Sequence, residues 1–408
     1  MKHVIIGAGA AGIAAAKKIR ELSAKDEIVI ISSDEYVTSR CMLHMYISGE
    51  RGVEELSFVP ENFFKDYKIK WIGGLTVREI DYKAKIVNCD SGAAIGYDKL
   101  LIATGARSSI PPVGALRTAG NVFGLRNFPD ARSISEAAAG SDKIVIIGAG
   151  LVGLDAAYAL IEQKKDVSII DIIPRVLPVN LDERSALEYQ KRFEAAGCRF
   201  YLGVAVSGTS QDDKGNITEI ILGNGEILPC DLVIAAAGVN PASDLVDASA
   251  KTDRRFIRVN EYMETGIEDV YAAGDVAGLS GIWPNATRQG EIAGSNMLGK
   301  AIQYTDTFAV KNTVNFFGLV TLSLGKFEPD EGDKVETRED RRGYRKVITR
   351  DGVVLGVVLQ GDISNSGFWQ HLIKNAIKID GIGKSVWKLS YADFCGLDET
   401  GEYVWKTS

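Results

Sequence analysis

Val4-Ile5-Ile6-Gly7-Ala8-Gly9-Ala10-Ala11-Gly12-Ile13-Ala14-Ala15-Ala16 returns 141 residues later as Val145-Ile146-Ile147-Gly148-Ala149-Gly150-Leu151-Val152-Gly153-Leu154-Asp155-Ala156-Ala157, with nine of thirteen positions identical. A period this long excludes a solenoid and leaves two copies of one unit. Each copy opens on a short β-branched run, residues 4–6 and 144–147, which reads as a parallel strand buried on both faces. Glycines follow, then a helical pattern over 13–22 and 154–163, then a second strand over 28–31 and 167–170. Strand, glycine turn, helix and strand within about 30 residues is the βαβ context of a dinucleotide-binding fingerprint.

The three glycines of each copy have separate tasks. Gly7 and Gly148 permit the tight turn, Gly9 and Gly150 let a pyrophosphate approach the backbone, and Gly12 and Gly153 allow close helix–strand packing. The helix N-terminus then faces the anion. Asp171 lies 18 residues past Gly153 at the end of its second strand. A carboxylate there accepts hydrogen bonds from a ribose diol and repels a 2′-phosphate, so the second copy is expected to prefer NADH to NADPH. Arg175 is the nearest cation beyond it. The first copy ends Ile31-Ser32-Ser33-Asp34-Glu35, with Asp34 the first choice for a ribose contact and Glu35 the second.

Composition removes several function classes. The 408 residues imply two or three domains. Lys plus Arg number 47 against 54 Asp plus Glu, a net charge of −7, so the electrostatic footprint of a nucleic-acid binder is missing. The five cysteines, at 41, 89, 198, 230 and 395, form no CxxC, which argues against a dithiol motif or a zinc ribbon. An odd, scattered set points to a reducing cytoplasm. Three distant histidines give no local metal motif. The N-terminal Met1-Lys2 and its apolar run imitate a signal peptide, but the fingerprint glycines explain that run better. No uncharged apolar run reaches the roughly 18–20 residues that a membrane span needs.

Further strands end in glycine turns at Ala103-Thr104-Gly105-Ala106, at Ala236-Ala237-Gly238-Val239-Asn240-Pro241 and at Tyr271-Ala272-Ala273-Gly274-Asp275. From about Lys311 the texture changes to antiparallel strands over 314–317, 344–349 and 353–359, with Asp351-Gly352 as a hairpin turn and a helix over 368–377. The expected fold is α/β, two Rossmann-like dinucleotide-binding domains plus a small α+β C-terminal domain. Its expected division is 1–112 and 241–310 for one nucleotide-binding domain, 113–240 for the other, and 311–408 for the C-terminal domain. The run Arg338-Glu339-Asp340-Arg341-Arg342 reads as a solvated loop, and Trp369, Trp387 and Trp405 as core packing.

In chain order, GAGAAG, ATGA, GAGLVG, AAGVNP and YAAGDVA resemble the FAD/NAD(P)-dependent pyridine nucleotide-disulfide oxidoreductases over about residues 1–300. The resemblance is nearest to NADH–rubredoxin reductases, ferredoxin reductases and FAD subunits of larger redox complexes, such as those of tungsten-type aldehyde oxidoreductases. Gly343-Tyr344-Arg345-Lys346-Val347, Asp351-Gly352 and Gly361-Asp362 look like the small C-terminal domain of rubredoxin- and nitrite-reductase relatives. The resemblance implies FAD on the first unit, with Gly7, Gly9, Ala11, Gly12, Val77, Ala103, Thr104 and Gly105 among its contacts. Gly274-Asp275 would hold the flavin side, and a helix opening at Trp283 would turn its N-terminus to the flavin ring. NAD(H) would occupy the second unit, with Val152 and Gly238 added to its glycines and Asp171.

Cys41 divides the readings. Cys41-x-Leu43-x-x-Tyr46-Ile47-x-Gly49 resembles the single redox cysteine of coenzyme A-disulfide reductases and NADH peroxidases, although Met42 stands where glycine is usual. Tyr36-Val37-Thr38-Ser39-Arg40 also resembles the stretch of electron-transferring relatives, in which Arg40 would meet the FAD pyrophosphate. The favoured expectation is an FAD-dependent NADH oxidoreductase that passes electrons between NAD(H) and a protein partner of rubredoxin or iron–sulfur type, with no catalytic side chain in the hydride step. The alternatives are a Cys41-dependent reductase of a small disulfide, polysulfide or peroxide, whose thiolate Arg40 would stabilise, and a structural subunit that merely retains FAD.

Overall fold

The computed structural model describes residues 1–305 and 311–405. The boundary expected at 310/311 and the last three residues of the expected C-terminal domain lie outside them. Two compact units emerge, one formed by Met1–Pro174 with the chain from Phe193 onward to the boundary, the other by Arg175–Arg192 with the C-terminal part.

The internal repeat folds twice into the same object. In the first sheet the strands Val270–Ala272, Lys99–Ile102, Lys2–Ile6, Glu27–Ile31 and Ile69–Ile72 lie in that order, all parallel. In the second, Arg199–Leu202, Asp166–Asp171, Lys143–Ile147, Leu232–Ala235 and Val122–Gly124 repeat the arrangement. Val4, Ile5 and Val29 are fully excluded from solvent, as parallel strands covered on both faces require. Each copy also carries a three-stranded antiparallel sheet, Val77–Asp81 with Ile86–Cys89 and Ala94–Gly96, and Val206–Gln211 with Ile217–Leu222 and Ile227–Pro229. Ala106–Ser108 pairs antiparallel with Val239–Pro241, joining the exits of the two repeats.

Helix Ala10–Leu22 lies against helix Trp283–Asn296 at a distance only glycine tolerates. A Cβ on Gly290 would stand 2.1 Å from the Ala11 carbonyl oxygen, and one on Gly294 2.7 Å from that of Ala15. This contact returns the chain of residues 241–305 to the first sheet.

The C-terminal unit holds a five-stranded antiparallel sheet ordered Lys311–Phe316, Leu319–Gly325, Val353–Gly361, Gly343–Arg350 and Lys334–Asp340. Asp351 and Gly352 both take positive φ, 50° and 77°, as a two-residue hairpin turn demands. Helix Ser366–Lys374 seats Phe368, Trp369 and Leu372 in this unit's core. Trp387 and Trp405 pack against the same core. Two features differ from the sequence expectation. Arg338, Glu339 and Asp340 end an edge strand instead of forming a loop, because an edge can be charged on its open side without cost to the ladder. Arg175–Arg192, placed by sequence with the second nucleotide-binding domain, groups with the C-terminal unit. It is held there by Asp182, whose carboxylate accepts from the Tyr344 hydroxyl at 2.8 Å and lies 3.3 Å from Lys346 Nζ.

Candidate functional site

The two glycine turns have matching geometry. Gly7 has φ 106° and Gly148 φ 117°; a Cβ would come within 2.3 Å of the Ala103 oxygen and 2.4 Å of the Ala236 oxygen. At Gly12 and Gly153 a Cβ would meet the carbonyl oxygens of Gly7 and Gly148 at 2.0 and 1.9 Å. Gly9 and Gly150 are different, since a Cβ on either meets nothing within 4 Å. The first and third glycines therefore serve the fold, and the middle one opens the turn to a ligand.

Both following helices, Ala10–Leu22 and Leu151–Glu162, begin without a side-chain cap and without an acidic residue in the first turn. The chain caps helices elsewhere: Phe128–Ala139 has a full capping box from Asn127 and Asp130. Uncapped N–H groups and the positive end of the helix dipole are a ready seat for an external anion. An FAD or NAD(H) pyrophosphate fits that donor set.

Around Gly9 the first turn borders two adjacent cavities of about 120 and 470 Å³, which share Gly9, Thr38, Arg40, Ala103 and Arg126 in their walls. Together they fall in the range of small-molecule sites, about 300–1,000 Å³. The smaller one is walled by Ala11, Gly105, Gly274, Asp275 and Trp283, and the larger by Gly7, Asp34, Val77 and Thr104. Gly12 sits beneath the turn. Glu35 is exposed beside Gly74 and is not in either wall. Burial pushes the Asp34 carboxyl above the usual range, against the pull of Arg40.

Non-local contacts shape this cleft. Arg126 forms an ion pair with Asp275, and Arg40 Nη1 lies 3.9 Å from the same carboxylate. Burial, followed by repulsion from Arg126, pulls the Arg40 guanidinium down to about 10. Asp34 also pulls on Arg40, so the cleft sets the Arg40 and Arg126 guanidiniums against the Asp275 and Asp34 carboxylates. Thr104 Oγ1 donates to the Ala242 oxygen at 2.7 Å, and the Gly274 N–H donates to Gln289 Oε1 at 2.8 Å. Trp283 and Pro284 open the 14-residue helix whose start borders the smaller cavity. Arg126 was not singled out from sequence. The available signal, Asn127-x-x-Asp130 with Pro129, marks a helix start but not where the preceding arginine reaches.

Cys41 also borders the smaller cavity. It reaches solvent at the cleft mouth, yet the surrounding protein withholds hydration from the sulfur. That desolvation and the Asp155 carboxylate push the thiol up, outweighing Arg126 and Arg40. Arg40 acts on the thiol in the expected direction, but burial and Asp155 outweigh it. His44 Nδ1 lies 3.8 Å from Asp155 Oδ1. Burial holds Asp155 up at about 7 and His44 below its ordinary value.

In the second copy, Gly148, Gly150, Val152, Gly153, Asp171 and Gly238 gather at the C-terminal ends of adjacent parallel strands, the general position of nucleotide sites in such sheets. Asp171 Oδ2 accepts from the Ala149 N–H at 2.7 Å and Oδ1 from the Ile173 N–H at 2.8 Å, which fixes the carboxylate beside the turn. Val152 is exposed, and Gly238 has φ 93° with open space at its Cβ position. Arg175 is committed elsewhere, to the carbonyls of Leu181 and Pro178 and to Glu328.

A family model described as pyridine nucleotide-disulphide oxidoreductase matches residues 1–290, and one described as the rubredoxin NAD+ reductase C-terminal domain matches residues 311–377. The chain is 28% identical over 386 residues to the NADH-dependent phenylglyoxylate dehydrogenase subunit epsilon of Aromatoleum evansii, covering 91% of both chains. It is 30% identical over 370 residues to the NADH-rubredoxin oxidoreductase of Clostridium acetobutylicum, covering 89% of this chain and 92% of that one. Its fold matches the reductase of a covalent putidaredoxin reductase–putidaredoxin complex with a TM-score of 0.80 and 26% identity, over 92% of this chain and 94% of that one. Among the described residues no helix is long and apolar enough to cross a membrane.

Proposed function

The chain belongs to the pyridine nucleotide-disulphide oxidoreductase family, and from that premise we propose that it is an FAD-dependent NADH oxidoreductase passing electrons between NAD(H) and a protein redox partner. The observation that carries this reading is the pair of uncapped helix N-termini, each with a middle glycine open to a ligand. Residues 1–112 and 241–310 would hold FAD, 113–240 apart from Arg175–Arg192 would hold NAD(H), and 311–408 would serve a protein interface.

Bound FAD supplies two-electron exchange with a nicotinamide and one-electron exchange with a carrier. The chain's own residues bind and orient. Gly9 and the start of helix Ala10–Leu22 receive the pyrophosphate, with Arg40 and Arg126 supplying positive charge. Asp34 receives ribose hydroxyls, and Glu35, exposed outside the cleft walls, is the weaker choice. The N-terminus of helix Trp283–Asn296 lends its dipole to negative charge on the flavin ring. In the second copy Asp171 accepts from the ribose diol of NAD(H) and repels a 2′-phosphate, while Gly150 leaves room for the pyrophosphate and Gly153 lets the helix pack against the turn. No side chain is required as acid or base for hydride transfer; positioning suffices.

The partner is of rubredoxin or iron–sulfur type, either a diffusible carrier or a partner subunit, as the similarity to a rubredoxin oxidoreductase and to a dehydrogenase subunit supports. All five cysteines are free, in keeping with a cytoplasmic location. Anaerobic NADH titration of the purified protein tests the reading. Bleaching of a bound yellow chromophore, followed by its recovery on adding oxidised rubredoxin or ferredoxin, is expected. A colourless protein that cannot be reconstituted, or a chromophore indifferent to NADH, refutes it.

A further inference from the structure

The Gly274-Asp275 turn at the smaller cavity is held from behind by one side chain. Gly274 is buried, with φ 82° and ψ −156°, a backbone region that is essentially reserved for glycine. The two residues before it donate to backbone, Ala272 to the Met263 carbonyl and Ala273 to that of Ile102. The Gly274 N–H turns instead to the carboxamide oxygen of Gln289, at 2.8 Å. Gln289 is wholly buried on helix Trp283–Asn296. Its neighbour Gly290 is pressed to the Ala11 carbonyl, where a Cβ would stand 2.1 Å away, so the packing of the two helices fixes where the carboxamide sits.

The hydrogen bonds of this amide show which end matters. Oε1 is paired, while Nε2 is buried without a hydrogen-bond partner among the described residues. Turning the amide over would set one donor against another. A buried carboxamide with one end unpaired is costly. An apolar side chain of the same shape would avoid that cost but would orphan the Gly274 N–H. The carboxamide therefore serves as an acceptor. Asp275, the next residue, pairs with Arg126 and lies 3.9 Å from Arg40. These charges come from distant segments, so their alignment depends on where the turn points the Asp275 side chain.

We propose that Gln289 is a positioning residue for the FAD site. By accepting from the Gly274 N–H it holds the glycine in its reserved conformation, and so sets the Asp275 carboxylate against Arg126 and Arg40. Gln289 lies outside the walls of both cleft cavities, so it acts through the turn. The inference rests on the FAD reading above.

The test follows FAD release from diluted holoprotein by the rise in free-flavin fluorescence. Gln289→Met removes the acceptor with little change of length, and release should become about tenfold faster than in wild type. Asp275→Asn should also speed release. The double variant should release FAD no faster than the faster single variant, because both changes act through one carboxylate; a general loss of packing would add to the effect of Asp275→Asn. Additive effects, or wild-type release from Gln289→Met, overturn the proposal. If that variant does not fold, wild-type holoprotein carrying 15N-glycine decides the matter. Its Gly274 amide should exchange slowly with solvent, and exchange at the rate of an unprotected amide overturns the proposal. A wild-type protein that cannot be loaded with FAD overturns both this inference and the reading beneath it, whereas wild type that holds FAD while Gln289→Met releases it no faster overturns the role of Gln289 alone.

Discussion

The assignment of two different ligands to two nearly identical turns can be separated by one methyl group placed in each. Gly9 has φ −77° and ψ −172°, and Gly150 φ −80° and ψ −174°, extended backbone that alanine adopts freely. Neither new Cβ has a protein atom within 4 Å. Replacing glycine by alanine at a helix start forgoes about 1 kcal/mol of capping preference, and it regains about 0.4–1 kcal/mol by restricting the unfolded chain. Gly9→Ala and Gly150→Ala should therefore fold with nearly unchanged thermal midpoints. The methyl instead stands where a phosphate oxygen would meet the helix N–H groups. Losing one charge-assisted hydrogen bond costs about 1.5–3 kcal/mol, a weakening of roughly 10- to 150-fold. Gly9→Ala should be purified with little flavin and rebind it weakly, whereas Gly150→Ala should keep full flavin and show a raised KM for NADH. The controls Gly12→Ala and Gly153→Ala, with Cβ atoms 2.0 and 1.9 Å from a carbonyl oxygen, should lose stability as well. Wild-type flavin affinity in Gly9→Ala, or flavin loss in Gly150→Ala with an unchanged KM, would refute the reasoning.

Asp171→Ala removes the carboxylate proposed to meet a ribose, so the ratio of kcat/KM for NADH over NADPH should fall by roughly tenfold, about 1.4 kcal/mol; an unaltered ratio would place nucleotide selection elsewhere. Cys41→Ser should leave NADH-driven reduction of a rubredoxin-type acceptor within about twofold of wild type, because a thiol pushed up by burial and Asp155 carries little thiolate near neutrality; collapse of turnover would restore the cysteine reading. Asp155, held at about 7 in the folded protein, binds more protons folded than unfolded between about pH 4 and 7, so its contribution to stability falls as pH rises through that window. Chemical unfolding of Asp155→Asn across that range should show a flatter pH dependence, and an identical slope would contradict the shift. Lys346→Met removes the cation beside the buried Asp182 carboxylate, which among the described residues keeps its Tyr344 and Ser185 donors. A loss of about 3 kcal/mol, read as a lowered unfolding midpoint of the intact protein, is expected.

The fingerprint turns could be read from sequence because their requirements are local. Positive φ at Gly7 and Gly148, close approach at Gly12 and Gly153, and an open Gly9 and Gly150 follow from residue type at fixed spacing, and so does the Asp351-Gly352 hairpin. Hydrophobic period likewise announced the buried strands. Strands Leu319–Gly325 and Lys334–Asp340 escaped notice. The second is charged along its length, because its position at the sheet edge satisfies the ladder on one side only.

What distance in the chain conceals, tertiary structure decided. Arg126 reaches Asp275 across 149 residues, and Thr104 reaches the Ala242 carbonyl across 138. Asp34 lines the cleft while its neighbour Glu35 is exposed outside the walls, and Arg175–Arg192 follows a buried aspartate into the C-terminal unit. Sequence determined two nucleotide cradles, because backbone conformation and hydrophobic period are properties of neighbouring residues. Which charges share a cavity, and whether a cysteine beside them can ionise, depends on electric fields and solvent exclusion, and these arise only when distant segments are brought together.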